Sequence, residues 1–556
     1  MSMYVLGIHV GHDSNVALVK DGIVVADIAE ERLRGVKHFS ETPSLGLEWC
    51  LREAGISMED VDIIAVVSLD TLNSQPYFVK TLGLDKERLN PKHAYIEPPT
   101  YIKSYQISKG TELVHVDHHL AHAASAYFTS GYNDKCLIIT ADGIGDSVSL
   151  AVWRGEDGGI EPLMKVGAEG SLGWFYGAVT EALGWWVGDG EGKTMGLAPY
   201  GNTKGMEGIF DSIIPHYENG RLIKGHNFGD PCYWQSGGSF HWHLRDSEYV
   251  KGLVDKYGRE NIAAEAQWAL EEEMLKIILP WLEREGVNKF CCSGGVFLNI
   301  KLNQRVWESK RLDHQHIFPN AGDGGLGVGA ALYAYYHTTS EEGIKPISHI
   351  YWGPAYLNHE IEEILKARNI PHRFCDDISL KCAQLLAAGK ILGWFQGRME
   401  SGPRALGNRS ILIDPRKAEN KDIINKRVKF REPFRPFCPS LPLEAADKYL
   451  ENWRMERYMI TSFNGKEETR GEIPAVVHVD KTLRPQIVER SENEKFWSLL
   501  TEFGELTGTP VLLNTSFNIK GEPIVCSPRD AIRCFYDTGM DYLALGDFLI
   551  SKDGRC

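Results

Sequence analysis

Residues Gly397 to Phe437 read GRMESGPRALGNRSILIDPRKAENKDIINKRVKFREPFRPF. The stretch carries Arg398, Arg404, Arg409, Arg416, Lys429, Arg431 and Arg435, with Gly402, Pro403, Gly407 and Pro415 set among them, in a chain of net charge -15. Guanidiniums this close in sequence repel one another unless they are solvated or matched to an anion, and Arg offers a rigid fork that fits phosphate or carboxylate oxygens in pairs. A solvated loop with ordinary surface ion pairs is the plainer account of a basic run. Here, however, the arginines alternate with Gly, Pro and apolar residues, as in backbone shaped around a bound group. The stretch therefore predicts a polyphosphate pocket.

Around it, residues 351–556 alternate helical periodicity (Glu360 to Arg368, Ile378 to Ala388) with short apolar strands (Ile391 to Phe395, Ile411 to Ile413, Pro510 to Leu513). The last strand opens into Asn514-Thr-Ser-Phe-Asn, which places Asn514 and Ser516 at a strand end, and Arg484 adds a further cation. Residues 338–350, TSEEGIKPISHI and the threonine before them, lose apolar periodicity and read as a linker. The chain thus divides into 1–337, the linker 338–350, and 351–556.

The first part opens as a meander of three strands between Tyr4 and Ile28, with His12, Asp13 and Ser14 at a polar tip, followed by a helix from Pro43 to Ala54. In His115-Val-Asp-His-His-Leu-Ala-His-Ala, the alanines and leucine favour helix, so that His118 and His122 share a face four residues apart. A strand from Lys135 to Thr140 ends in Ala141-Asp142-Gly143-Ile144-Gly145-Asp146, and Asn320-Ala-Gly-Asp-Gly-Gly puts Asp323 in a glycine-rich turn entering a small-residue helix. Two histidines and two aspartates make a donor set suited to iron(II), manganese or zinc. Ser171 to Gly177 and Glu191 to Gly201 read as glycine-punctuated polar segments, and the latter lacks the spacing of a Walker A loop. Residues 202–249 read as loops that shape a pocket, before a long amphipathic helix from Ile262 to Glu285 and a strand running into Cys292-Ser-Gly-Gly-Val-Phe-Leu-Asn. No internal repeat is visible.

A chain of 556 residues with 43% apolar and 24% charged residues is ordinary for a multidomain globular protein. The acidic balance gives no global field to attract nucleic acid or an anionic membrane. The eleven cysteines are scattered, with no Cys-x-x-Cys, which fits a reducing cytoplasm. The opening MSMYVLGIHVGHDS has no basic leader and no apolar run is long enough to span a bilayer, so the expectation is a cytoplasmic enzyme.

Taken together, His118-His-Leu-Ala-His122, Asp142-Gly-Ile-Gly-Asp146, Gly294-Gly-Val-Phe-Leu-Asn299, Gly322-Asp-Gly-Gly, Gly402-Pro-Arg-Ala-Leu-Gly-Asn-Arg409, Lys429-Phe-Arg-Glu-Pro-Phe-Arg435 and Asn514-Thr-Ser-Phe-Asn518 resemble the O-carbamoyltransferases of the nodulation-factor, cephamycin and aminoglycoside type, over nearly the whole chain. The resemblance implies a mixed α/β protein. Its N-terminal domain would be an actin-like ATPase-type fold of two subdomains, similar to the tRNA threonylcarbamoyl-transfer protein, and its C-terminal α/β domain would form carbamoyl adenylate. Two polyanions must be held while charge moves onto pyrophosphate, which suits fixed cations. The resemblance assigns Arg404, Lys429, Arg435, Arg484, Asn514 and Ser516 to that step, with Arg398 and Arg416 as second choices.

Carbamoyl adenylate hydrolyses readily, so an enclosed path to the N-terminal domain is expected. There the resemblance implies a metal, iron(II), on His118, His122, Asp142 and Asp323, with Gly295 and Asn299 at the nucleoside and Lys37, Gly143 and Gly145 at its phosphate. A hydroxyl acceptor needs a base, for which His12 is the candidate and Asp230 a second choice. Implied cofactors are ATP with Mg2+ and the divalent metal. Implied partners are carbamoyl phosphate and a small natural-product acceptor, as in antibiotic biosynthesis, and the family commonly contains homodimers. A tRNA-modifying threonylcarbamoyl enzyme lacks the basic stripe it would need here. A non-enzymatic, nucleotide-regulated actin-like binding protein leaves the arginine stretch unexplained. The aromatic segment Tyr233 to His243, with Trp185 and Trp186, is a candidate lining for an acceptor ring.

Overall fold

The computed structural model describes residues 2–67, 111–236, 238–341 and 343–554. The chain forms two compact units, Met1–Ile347 and Ser348–Cys556.

The first unit holds the same sheet twice. Strands β1 (Tyr4–His9), β2 (Asn15–Lys20), β3 (Ile23–Ala29), β4 (Ile63–Val67) and β5 (Glu112–Val116) form a sheet of order β3-β2-β1-β4-β5. Its first three strands are an antiparallel meander, and β4 and β5 join β1 in parallel. Strands β6 (Cys136–Gly145), β7 (Val148–Glu156) and β8 (Gly159–Gly167) form a second meander. Two hairpins intervene, β9 (His216–Glu218) with β10 (Arg221–Lys224) and β11 (Cys232–Ser236) with β12 (Ser239–His243). Strands β13 (Lys289–Ser293) and β14 (His314–Ile317) then complete the order β14-β13-β6-β7-β8, again with two parallel partners on the first strand of the meander. This duplicated plan is the actin-like fold that the resemblance implies. The repetition lives in backbone pairing, which many sequences satisfy, and so the chain shows no repeat to the eye.

In each half a helix follows the fifth strand, and these two helices, His118–Tyr127 and Leu326–Thr339, pack against each other. They approach without side chains between them: a Cβ on Gly329 would lie 1.9 Å from the Ala121 carbonyl oxygen, and one on Gly7 of β1 would lie 1.9 Å from that of Gly327. The segments around Ser171 and Glu191, expected to be polar and glycine-punctuated, are instead the helices Leu172–Ala182 and Glu191–Leu197. Their glycines serve close packing, Gly173 against the Asp142 carbonyl and Gly177 against Val187 and Leu244.

In the second unit, β15 (Arg373–Phe374), β16 (Leu392–Phe395), β17 (Arg409–Ile413), β18 (Cys438–Pro442), β21 (Gln486–Val488), β22 (Leu512–Ser516), β23 (Tyr542–Leu545) and β24 (Phe548–Ser551) build one mixed sheet, beside a two-stranded pair of β19 (Phe463–Asn464) and β20 (Thr482–Leu483). Helices Ile378–Ala387 and Glu494–Thr507 cover the sheet with Ile378, Leu386, Phe496, Leu499 and Phe503, packed around Trp394. The arginine stretch enters the sheet as β17, an interior strand antiparallel to both β16 and β22.

Adding one methyl at Gly329 forces backbone apart, an overpacking that costs about 1–3 kcal/mol. Gly329→Ala is expected to lower the denaturant midpoint accordingly. Gly252→Ala, in an open position of the helix Ser247–Tyr257, is expected to leave the midpoint unchanged or raise it. Equilibrium urea unfolding of both variants checks the contrast.

Candidate functional site

Four donor side chains meet in the first unit, His118 and His122 from the first turn and a half of one helix, Asp142 from the end of β6, and Asp323 from the turn that starts the helix Leu326–Thr339. His122 Nε2 lies 3.0 Å from Asp142 Oδ2 and 3.6 Å from Asp323 Oδ1, and His118 Nε2 lies 3.7 Å and 3.6 Å from the same oxygens. Such spacings suit donors sharing one ion with bonds of about 2.1 Å. His118 Nε2 is also buried without a hydrogen-bond partner. Both observations fit a divalent metal.

Local structure explains how these groups are held. Asp117 caps the helix by accepting from Leu120 N at 3.0 Å, and Asp146 accepts from His118 N at 2.9 Å. Ser293 Oγ sits 3.3 Å from His122 Nδ1 and 3.3 Å from the Ala321 carbonyl, which leaves His122 Nε2 for the metal. His119, between the ligands, points away to Thr140 Oγ1 and the Val148 carbonyl, and burial pulls it down to about 3. Gly145 lies under the His118 ring, where a Cβ would come within 2.2 Å of ring carbons, and a Cβ on Gly295 would come within 2.9 Å of Asp142 Oδ1. Gly143 packs against the Trp174 indole. Asn15 ties the halves together, donating to the carbonyls of Asp13 and Asp323 at 2.9 and 2.8 Å and accepting from Gly327 N.

Burial resists charge on Asp142, yet His118 and His122 hold its carboxyl well below the usual range. Burial likewise opposes charge on His118, but Asp323 and Asp142 prevail and raise it to about 9.

A second group lies at the β1–β2 tip. His12 Nδ1 stands 3.0 Å from Asp13 Oδ2, His38 Nδ1 stands 2.8 Å from Asp13 Oδ1, and His38 Nε2 stands 3.4 Å from Asp189 Oδ1. Lys37 and Lys193 also pair with Asp189.

The second unit gathers several arginines of the stretch together with Arg484. Arg404, half-buried with its Nε enclosed and unpartnered, is pulled down to about 9 by desolvation and by the neighbouring charges of Arg484 and Arg435. Arg431, over the Phe437 ring at 4.1 Å, is likewise pulled down to about 9 by burial and then by Arg435 and Arg484. Arg484 Nε reaches Cys438 Sγ at 2.9 Å. Four guanidiniums therefore share one neighbourhood, an arrangement an anion relieves. Lys429 ends a π-helical turn, Asn425–Lys429, and donates to the Ser516 and Asn518 carbonyls at 2.8 and 2.9 Å. Asn514 donates to Ser440 Oγ at 2.9 Å while its buried Oδ1 has no partner.

The family model for the carbamoyltransferase N-terminus matches residues 4–332, and that for the carbamoyltransferase C-terminus matches residues 383–552. The chain belongs to the carbamoyltransferase family. It is 36% identical to nodulation protein NolNO of Sinorhizobium fredii over 97% of this chain and 79% of that protein, and 35% identical to nodulation protein NolO of Bradyrhizobium diazoefficiens over 79% of each. An uncharacterized protein of Synechocystis is 34% identical over 98% of this chain and 96% of its own length. The protein is thus an enzyme, a carbamoyltransferase.

Within this carbamoyltransferase the sequence-derived residues divide. His118, His122, Asp142 and Asp323 come together, as do Lys429 with Ser516, and Arg404 with Arg435 and Arg484. Others are engaged elsewhere. Arg398 donates to the Trp352 and Gly353 carbonyls, and Arg416 clasps Asp414 through both Nε and Nη2. Arg409, counted among the cations of the stretch, is fully buried over Phe395 at 3.7 Å and donates to the Gln396 and Pro354 carbonyls. It pins backbone. Asn299 uses its amide on Gln267 and as the cap of the helix Ile300–Glu308, and Lys37 pairs with Asp189. Asp230 lies exposed just before β11. Sequence reading missed Asn15, His38, Asp189 and Ser293. Only His38, three residues after the Arg34-Gly35 pair and beside Lys37, carried a signal.

Metal binding requires neutral His118, which without metal carries a proton below about pH 9. Adding Mn2+ to metal-free protein at pH 7.5 is therefore expected to release about one proton per site. Apparent affinity is expected to climb with pH by up to about tenfold per unit and level off above pH 9. Calorimetry in buffers of different ionisation heat measures both, and His118→Ala is expected to lose the proton release with the binding.

Proposed function

We propose that this carbamoyltransferase works in two steps, with carbamoyl phosphate and ATP reacting in the arginine pocket and transfer to a hydroxyl completed at the His118–His122–Asp142–Asp323 site. The observation that carries the first step is the half-buried cluster of Arg404, Arg431, Arg435 and Arg484, whose mutual repulsion the nearby Glu432 carboxylate offsets only in part. Water adds to the carbamoyl carbon of carbamoyl phosphate as the bond from that carbon to the phosphate oxygen breaks, giving carbamate and inorganic phosphate. A carbamate oxygen attacks the α-phosphorus of ATP, its bond to the bridging oxygen breaks, and pyrophosphate departs. Preorganised guanidiniums stabilise the charge that gathers on the departing group without further reorganisation. Lys429, its ammonium held by Ser516 and Asn518, adds a fixed positive charge for a phosphate, and the buried Asn514 Oδ1 is left without a donor.

For the second step, an acceptor oxygen bonds to the carbamoyl carbon as the bond to AMP breaks, and the acceptor proton passes to His12. His118, His122, Asp142 and Asp323 would hold a divalent metal, iron(II) in our reading, which would supply Lewis-acid stabilisation to the AMP phosphate. Asp13 beside His12 raises its basicity against the cost of burial. Trp186 and Trp234, half-exposed with ring centroids 5.8 Å apart, and His241, 5.0 Å from Trp186, present a ring surface to an acceptor. Trp185 is not part of it, being stacked under Arg259.

Purified protein given carbamoyl phosphate, ATP and Mg2+ with no acceptor is expected to form pyrophosphate only when carbamoyl phosphate is present. Arg404→Ala is expected to cut that rate at least about a hundredfold, from the loss of a charge-assisted contact worth a few kcal/mol. Pyrophosphate assay measures both, and carbamoyl-phosphate-independent pyrophosphate, or none from the wild type with any metal, refutes the first step.

A further inference from the structure

We infer that Asp13 and His38 are positioning residues that set the tautomer and basicity of His12, with Asp189 anchoring the far end. The inference rests on His12 being the base of the proposed transfer step.

The four groups form a single file. His12 Nδ1 faces one oxygen of Asp13, His38 Nδ1 faces the other at 2.8 Å, and His38 Nε2 faces Asp189 at 3.4 Å. The His12 and His38 rings stack with centroids 5.0 Å apart and planes inclined by 17°. Asp13 and His38 both lie in the left-handed region, with φ of 59° and 55°, which Asp and His enter more readily than most side-chain-bearing residues. Asp13 and His38 are clamped together by the next residues in sequence. Ser14 donates through N and Oγ to the Phe39 carbonyl at 3.0 and 3.2 Å, and Glu31 accepts from His38 N at 3.0 Å.

With its Nδ1 proton on Asp13, His12 keeps a bare Nε2, the atom beside Gly188, where a Cβ would come within 3.3 Å of it. Gly188 has φ of 87° and lies two residues after Trp186, so the bare nitrogen adjoins the loop that carries the exposed indole. The charges facing His12 are Asp13 from its own turn, His38 from the segment after the helix Glu30–Arg34, and Asp323 from the turn before Leu326–Thr339. Lys37 and Lys193 neutralise Asp189 behind His38. Asp13 thus favours the protonated form of His12 and His38 opposes it, as one carboxylate shared by two imidazoles requires. The donors of His12, Asp13 and His38 are close enough to hold an ion. Nearly parallel stacked rings with nitrogens on the two oxygens of one carboxylate, backed by two ammonium groups, fit the proton-holding role instead.

The two neighbours act on His12 with opposite sign, and that sign is the test. In the metal-loaded full-length protein, the pH dependence of His12 carbethoxylation by diethyl pyrocarbonate, followed by peptide mass spectrometry, reports when its ring is neutral. Asp13→Asn is expected to move the midpoint down by roughly one pH unit, and His38→Gln to move it up. His38→Lys, which keeps a charge, is expected to stay near the wild-type midpoint, and if Asp13→Asn or His38→Gln fails to fold, Asp13→Ser or His38→Asn takes its place with the same expected sign. Shifts in the same direction, or no shift, in the charge-removing variants overturn the inference, as does a displaced midpoint in His38→Lys. So does a second equivalent of bound Mn2+ that Asp13→Asn removes, which makes the cluster a metal site. Separately, carbamoyl-phosphate-dependent AMP release with water as acceptor is expected to fall at least about tenfold in His12→Gln. An unchanged rate there refutes His12 as the base while leaving the measured coupling of the three side chains standing.

Discussion

One buried carboxylate oxygen organises the second unit's pocket. Glu400 Oε1 accepts backbone N–H groups from Leu406, Asn408 and Arg409 at 2.6, 3.3 and 3.1 Å, so a single side chain within the arginine stretch folds Gly402 to Arg409 around itself. Hydrogen bonds to a charged acceptor contribute about 1.5–3 kcal/mol each, and more is lost when the acceptor is removed from beneath buried donors. Arg409 then locks the turn from its far side through the Gln396 and Pro354 carbonyls. With the backbone fixed in this way, Arg404 is held facing Arg484 and Arg435 despite their mutual repulsion. The like charges do not assemble the pocket. The scaffold imposes them on one another, which is how a site acquires a standing demand for anions.

The first unit reaches a comparable result by duplication. Each half contributes a tip between the first two strands of its meander, and a helix that begins after its fifth strand. One tip carries His12 and Asp13, the other ends at Asp142 to Asp146, and the two helix beginnings carry His118 with His122 and Asp323. Chemistry-bearing residues far apart in sequence fall together because four equivalent chain positions do. Asn15 spans 308 residues to join one tip to the opposite helix start, and it does so with a single amide.

Local spacing explains what could be read beforehand. His118 and His122 are legible because a helix repeats every four residues or so, and Asp142 and Asp323 because glycines mark strand and helix ends. The alternation of helix and strand in the second unit is legible for the same reason. Charge is where the sequence is ambiguous. Arg398, Arg409 and Arg416 look the same in the sequence as Arg404 and Arg435, and only tertiary structure shows the first three spent on carbonyls and on Asp414. Ser293 and Asp189 stand 171 and 151 residues from the histidines they address, and neither sits in a spacing that announces it. The glycines near Ser171 marked a glycine-punctuated polar segment with no element assigned to it, whereas in the structure Gly173 is required by contact with the Asp142 carbonyl.

The glycines beneath the helix Leu326–Thr339 bear on how the first unit meets an ion. Where Gly7 meets Gly327, and Gly329 meets Ala121, main chain rests on main chain, and no pliable side chain fills the gap. Asp323 stands at the start of that helix and His122 lies one residue beyond Ala121, so the distance between the backbone anchors of two donors is gauged by atomic radii of the backbone itself. The two helix beginnings are thus held at a spacing set by packed backbone, and any adjustment to a cation's bond length falls to the side-chain torsions of the two histidines and two aspartates.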